Sequence, residues 1–112
     1  MILLCFVVLS CDWENGVFVN LRNVRLEYIV SGTVSNATIT YTNCSSNNVT
    51  INDAHLPWSR VIYVSNGFYA SLRATSAEPT GGLTVEMFAN GEPIRGSSGT
   101  RSVFIFTWIR VD

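Results

Sequence analysis

Few side chains in this sequence could do chemistry: one histidine, His55, and three cysteines, Cys5, Cys11 and Cys44. Asp53 and His55 lie two residues apart, so on an extended segment they share a face. An aspartate beside an imidazole can orient it as a base. A surface segment leading into Leu56-Pro57-Trp58 is the simpler account of these two residues. With no cysteine or second histidine nearby, His55 makes no zinc site. The cysteines form neither a CxxC nor a metal-ligand spacing, and no histidine neighbours Cys44 to activate its thiol. The bland expectation for Cys44 is a thiol without function in a Ser/Asn-rich turn. A Cys11–Cys44 disulfide is the alternative if Cys11 is unmodified and the compartment oxidising. Gly96-Ser97-Ser98-Gly99 lacks the lysine and following helix of a phosphate-cradling loop, and acidic residues at calcium-loop spacing are missing. These patterns lead to the expectation of a non-enzymatic protein with no metal and no cofactor.

Cys11 is the cysteine to which local spacing gives a role. Residues 1–10, MILLCFVVLS, form an apolar run that ends abruptly at Cys11-Asp12. It is far below the ~20 apolar residues of a membrane-spanning helix, but it suits the apolar region of a signal peptide, about 7–15 residues. Val8-Leu9-Ser10-Cys11 is similar to a bacterial lipobox: an aliphatic residue, a free position, a small residue and the cysteine that takes a lipid as a thioether. Three acyl chains on Cys11 would anchor the protein stably, since two lipid signals already suffice. On this reading residues 1–10 are a lipoprotein-type signal, 11–22 a lipidated cysteine and spacer, and 23–112 the folded domain. No lysine or arginine precedes the run. A plain cleaved signal and a buried first strand are the other readings of residues 1–10.

The bulk composition agrees with export. At 112 residues there is room for one domain, and 47% hydrophobic residues supply its core. Charged residues are only 13%, against about 25% in ordinary soluble domains. All seven basic residues are arginines, scattered along the chain, and the net charge is -1. That leaves no basic footprint for nucleic acid and no anionic-lipid patch. Serine, threonine and asparagine must cover the surface, as in many exported β-proteins. Asn36-Ala-Thr38, Asn43-Cys-Ser45 and Asn48-Val-Thr50 match the glycosylation acceptor pattern, which matters only in a eukaryotic or viral secreted chain.

The elements that must position these residues are strands. From residue 23 a period-2 pattern dominates. Val24, Leu26, Tyr28 and Val30 alternate with Arg25, Glu27 and Ile29, and Ser31-Gly32 ends the run. Further strands are expected over 37–42, 49–52, 58–64, 68–74 and 83–89. Asn90-Gly91 then supplies the two positive-φ positions of a type I′ hairpin into 92–95. Gly96–Gly99 reads as a flexible loop and Arg101–Val111 as the last strand. Seven or eight short strands with turns every 8–12 residues specify an all-β, immunoglobulin-like antiparallel β-sandwich.

Aromatic residues carry the remaining signal. Trp58 is most simply a core anchor. In the last strand Phe104, Phe106 and Trp108 fall on one face and Val103, Ile105 and Ile109 on the other. Both faces are apolar. The first expectation is a strand covered on both sides; the second is an aromatic stripe that docks a protein, a lipid or a glycan.

In order along the chain, Arg25-Leu-Glu-Tyr-Ile-Val-Ser-Gly32, Ala37-Thr-Ile-Thr-Tyr41, Leu56-Pro-Trp-Ser59 and Leu83-Thr-Val-Glu-Met-Phe-Ala-Asn-Gly91 form a recognisable set. Over residues 24–111 the chain resembles the C-terminal domain of the mycobacterial membrane protein small (MmpS) family, and short bacterial lipoproteins on the same strand pattern. The resemblance implies a periplasmic or extracellular β-sandwich in the cell envelope, and for the mycobacterial members an accessory role beside a large transporter. Those proteins carry a transmembrane helix and a cysteine pair on the last strands. Here the short run before Cys11 and, in the matching stretches, Val85 and apolar residues near Phe106 stand instead. The implied protein is a membrane-anchored, non-enzymatic binding or accessory module, with a transporter as one protein partner. A self-associating or glycan-binding surface protein using the aromatic face of the last strand is the alternative.

Overall fold

Alternation of buried and exposed residues marks the central strands of the domain, which a computed structural model describes over residues 24–110. The expected signal, Cys11 and the spacer lie outside the described residues. Eight strands follow one another: β1 (Val24–Gly32), β2 (Asn36–Thr42), β3 (Asn48–His55), β4 (Trp58–Val64), β5 (Tyr69–Thr75), β6 (Leu83–Ala89), β7 (Glu92–Gly99) and β8 (Ser102–Trp108). They form two four-stranded antiparallel sheets, ordered β4-β1-β6-β7 and β3-β2-β5-β8. The domain is therefore an all-β sandwich, and no helix among the described residues is long and apolar enough to cross a membrane.

Each sheet turns one side chain in two towards the other sheet. Val24, Leu26, Tyr28 and Val30 from β1 and Leu83, Val85 and Met87 from β6 meet Ile39 and Tyr41 from β2, Ala70, Leu72 and Ala74 from β5 and Ile105 from β8. Most of these are fully buried. At about 25 cal/mol per Å² of apolar surface removed from water, such a layer is the main stabilising term.

Tyr28 is a fully buried core side chain that links the two sheets by a polar bond. Its ring is fully buried and its hydroxyl donates a 2.7 Å hydrogen bond to the carbonyl of Thr42, at the end of β2 in the opposite sheet. The ring packs tilted on Tyr41 at 5.4 Å between centroids, and Tyr41 packs on Trp58 at 5.5 Å. Arg60 covers the other end of the cluster, donating from Nε to the Tyr41 hydroxyl at 3.1 Å. Trp58 itself is half-buried against the core, so the fully buried ring is that of Tyr28.

Turns place the strands in register. Asn90 and Gly91 have φ of 52° and 86°, both in the left-handed region. Asn90 does more than tolerate this geometry. Its Oδ1 accepts from the Arg25 amide at 2.8 Å and its own amide donates to the Arg25 carbonyl at 2.8 Å, tying the hairpin to β1. At the far end of β1, Gly32 has φ of 153°, and a Cβ there would run into the carbonyl oxygen of Gly82.

The stretch Gly96–Gly99, expected as a flexible loop, is instead the second half of β7. Its residues pair with β6 from Gly96 opposite Glu86 to Gly99 opposite Leu83. Small side chains there reflect the edge position of β7, and a hydroxyl pair, Thr84 and Ser98 at 2.9 Å, reinforces the ladder. The third strand also runs further than expected, through Asp53 to His55.

Two outcomes check this layout. Tyr28→Phe keeps the ring but leaves the Thr42 carbonyl without its buried donor, so denaturant unfolding should show a loss of about 1–3 kcal/mol. The second concerns pH. Burial, and secondarily the neighbouring Tyr41, pushes the Tyr28 phenol well above its ordinary value of 10.0. The unfolded chain then loses this proton first, so the contribution is fully present below pH 10.0 and declines above it. The slope from this group is at most about 1.4 kcal/mol per pH unit. Unfolding curves from pH 8 to 12 should show that alkaline component in the wild type and not in Tyr28→Phe.

Candidate functional site

Inward residues of β5 and β8 complete the core, and their outward neighbours create the most unusual surface among the described residues. Val103 and Ile105 are buried, while Phe104, Phe106 and Trp108 are exposed by 44%, 48% and 59%. The expectation of a strand covered on both faces is thus corrected: among the described residues, sheet β3-β2-β5-β8 has no second layer on its outer side. The antiparallel register sets Tyr69 opposite Trp108, Ser71 opposite Phe106 and Arg73 opposite Phe104. Tyr69, itself 39% exposed, packs on Trp108 at 4.7 Å and on Phe106 at 5.9 Å. Phe104 and Phe106 are 5.5 Å apart. Four rings therefore form one continuous aromatic surface along the β8 edge. Contacts between rings give each pair about 0.5–1.5 kcal/mol, which holds the surface in shape without burying it.

Beside the rings the same face becomes polar. Moving from β8 to β3, the outward residues are Arg73 and Ser71, then Thr40 and Thr42, then Thr50 and Asn48. The Thr42 hydroxyl donates to Asn48 Oδ1 at 3.3 Å, shares a 2.7 Å bond with the Ser71 hydroxyl and accepts the Ser71 amide at 3.2 Å. Thr40 and Thr50 hydroxyls meet at 3.1 Å. The Arg73 guanidinium lies 4.9 Å from the centre of the Phe104 ring, a cation–π contact. Thr40, Thr42, Asn48, Ser71 and Arg73 line a concavity of about 510 Å³ bordered by Tyr69 and Phe104, within the 300–1,000 Å³ range of ligand sites. Its floor is anchored from behind, since the Thr42 carbonyl is the acceptor for Tyr28.

The sequence pointed to the rings of Phe104, Phe106 and Trp108 but not to the polar half of this face. Thr40, Ser71 and Arg73 lie on two other strands, and only strand pairing brings them beside Phe104. Tyr69 was the one signal within reach: it sits in a short alternating strand on the face opposite Ala70 and Leu72.

Asp53 and His55 do not form a unit. A bulge in the β2–β3 pairing falls at Asp53, whose φ is 55°, between Ile51 opposite Ile39 and Ala54 opposite Ala37, so the regular alternation of faces is lost at Asp53. His55 Nδ1 instead meets Asn36 Nδ2 at 3.3 Å, and the same Asn36 nitrogen donates to the Asp53 carbonyl at 3.4 Å. No hydrogen bond or ion pair joins the Asp53 carboxylate to His55 among the described residues. Nor do these residues contain a group of three histidines, cysteines or acids placed to hold a metal ion.

Cys44 requires a correction. It is not a free thiol but disulfide-bonded. It sits in the β2–β3 turn, where Asn43 Oδ1 accepts the amides of Ser45 and Asn47 at 2.9 and 3.0 Å. The chain's other cysteines, Cys5 and Cys11, lie outside the described residues.

Comparison with known proteins finds no family that matches the chain and no curated protein that matches it.

The two faces of β8 should respond differently to truncation. Ile105→Ala, which empties a buried site, should cost about 2–5 kcal/mol. Trp108→Ala on the exposed face should cost less than about 1 kcal/mol. Equal losses in urea unfolding would mean that the aromatic face is core.

Proposed function

We propose that this protein is an exported, non-enzymatic binding domain of the bacterial cell envelope, and that its contact surface is the outer face of β5 and β8. The observation that carries this reading is the run of exposed rings from Phe104 to Trp108, joined by Tyr69. A soluble protein gains nothing in folding from leaving four adjacent rings in water, and exposed apolar patches of this kind mark interaction sites. Rings are also the side chains that supply contact area at low conformational cost.

Export is supported by the apolar run of residues 1–10, by the Ser/Thr/Asn-rich surface and by the oxidised Cys44, since disulfides persist in oxidising compartments. The similarity to MmpS domains supports the envelope as the location and a transporter as one protein partner. Attachment to the membrane rests on Val8-Leu9-Ser10-Cys11, and it makes a chemical demand. Cleavage before Cys11 would remove Cys5, and a thioether would occupy the Cys11 sulfur. Lipidation at Cys11 and a disulfide of Cys44 within the same mature chain are therefore mutually exclusive. Intact mass under non-reducing conditions separates the two fates: acyl chains on Cys11 support the tether, whereas an unlipidated chain two hydrogens lighter than its thiol form removes it and leaves an exported domain.

Self-association is the second reading, favoured by the position of β8 at the edge of its sheet. Sedimentation velocity should then show a dimer that Trp108→Ser dissociates.

The binding reading is tested by sedimenting the protein with envelope fractions of the organism that makes it. Wild-type protein should pellet with them. The variant Phe104→Ser/Phe106→Ser/Trp108→Ser should stay in the supernatant with its melting temperature within a few degrees. Wild-type protein that remains in the supernatant with every fraction would overturn the reading.

A further inference from the structure

Resting on the binding surface proposed above, we infer that its ligand is an acidic saccharide, with a sugar ring seated against Phe104 and Tyr69 and a carboxylate held by Arg73. Three properties of the concavity lead there. The first is the combination of rings and hydroxyls. Sugar C–H bonds carry slight positive charge and pack on the negative face of an aromatic ring, while sugar hydroxyls need donors and acceptors at the ring's rim. Thr40, Ser71 and Asn48 supply these beside Phe104 and Tyr69. An acyl chain would need an apolar lining, and here the polar half would be stripped of water without repayment.

The second property is charge. Among the described residues that line the concavity, Arg73 is the single charged one, and none is a carboxylate. Among the described residues the ion pair that forms is Arg25 with Glu27, on the other sheet. The guanidinium of Arg73 is placed by the Phe104 ring at 4.9 Å, and no ion pair of its own among the described residues satisfies it. Its planar fork matches a carboxylate in two parallel hydrogen bonds. An anionic group on the ligand is the complement.

The third property is preorganisation. Thr42 is already bonded to both Ser71 and Asn48, and the Tyr28 hydroxyl holds the Thr42 carbonyl beneath them. A hydroxyl carries one donor and two acceptor sites, so Ser71 and Thr40 keep capacity for a ligand. Little side-chain freedom remains to be lost on binding.

The test is calorimetric or NMR titration of the full chain with a short oligogalacturonate, with neutral cello-oligosaccharides, phosphatidylglycerol vesicles and an acidic peptide as comparisons. The oligogalacturonate should bind, weaken with added salt and shift the amides of β5 and β8. Arg73→Gln should reduce its affinity about 10- to 100-fold, the range of a charged hydrogen-bonding pair. Phe104→Ser should reduce it as well, and both variants should keep the wild-type melting temperature, because both side chains are exposed. Equal affinity for the neutral sugar, or an unchanged affinity in Arg73→Gln, overturns the inference. Binding to vesicles or peptide and not to the uronate also overturns it. A blank titration with the uronate, alongside retained pelleting with envelope fractions, defeats this inference and leaves the binding surface standing; blanks in both defeat both.

Discussion

A phenol hydroxyl placed in the middle of an apolar sandwich has to find an acceptor, because leaving it bare costs a few kcal/mol. Tyr28 meets that requirement by reaching across the core to the Thr42 carbonyl at 2.7 Å. Together with the Arg60–Tyr41 bond, this bond ties the two sheets to each other at β2. The rings of Tyr41 and Trp58 are stacked behind it, and Arg60 closes the stack. The same residue that accepts from Tyr28 with its backbone uses its side chain to organise Ser71 and Asn48 on the opposite surface. Core and outer face are thus two sides of Thr42. A buried polar network of this kind is stable because its members satisfy one another.

What the network positions is a surface that folding does not require. Residues 103 and 105 of β8 already bury their share of the core, while 104, 106 and 108 face water. The aromatic face and the hydroxyl-lined concavity are continuous through Tyr69 and Phe104. Rings offer apolar contact and hydroxyls offer direction, which together make a surface suited to a ligand with both kinds of group. That surface lies at the β8 edge, where Arg95 of β7 donates to the Phe106 carbonyl at 3.1 Å and covers one open backbone acceptor.

Much of the fold was legible because its signals are local. Alternation in Val24–Val30 and Leu83–Ala89, and the Asn90-Gly91 turn, depend on a few neighbouring residues. The sandwich follows from them. Gly96–Gly99 was misread because two glycines and two serines look like a loop, and only pairing with β6 makes them a strand. The β3 bulge at Asp53 was invisible for a similar reason: its positive φ answers to the partner strand β2 and not to its own sequence. Half of the candidate site could be read, since Phe104, Phe106 and Trp108 share one strand. Whether that face was covered could not, because covering depends on layers that only the tertiary structure defines. Arg73, Ser71 and Thr40 were out of reach until strand order put them beside Phe104.

All of this rests on one division: Tyr28 and Tyr41 belong to a closed core, and Tyr69 and Trp108 to an open face. Laser-induced nuclear polarisation of aromatic side chains by a soluble dye measures that division directly, since only rings the dye can touch are enhanced. Strong enhancement of Tyr69 and Trp108 with silent Tyr28 and Tyr41 is the predicted result. Silent Tyr69 and Trp108 would contradict it, because the outer face of β5 and β8 would then be covered and could not receive a ligand.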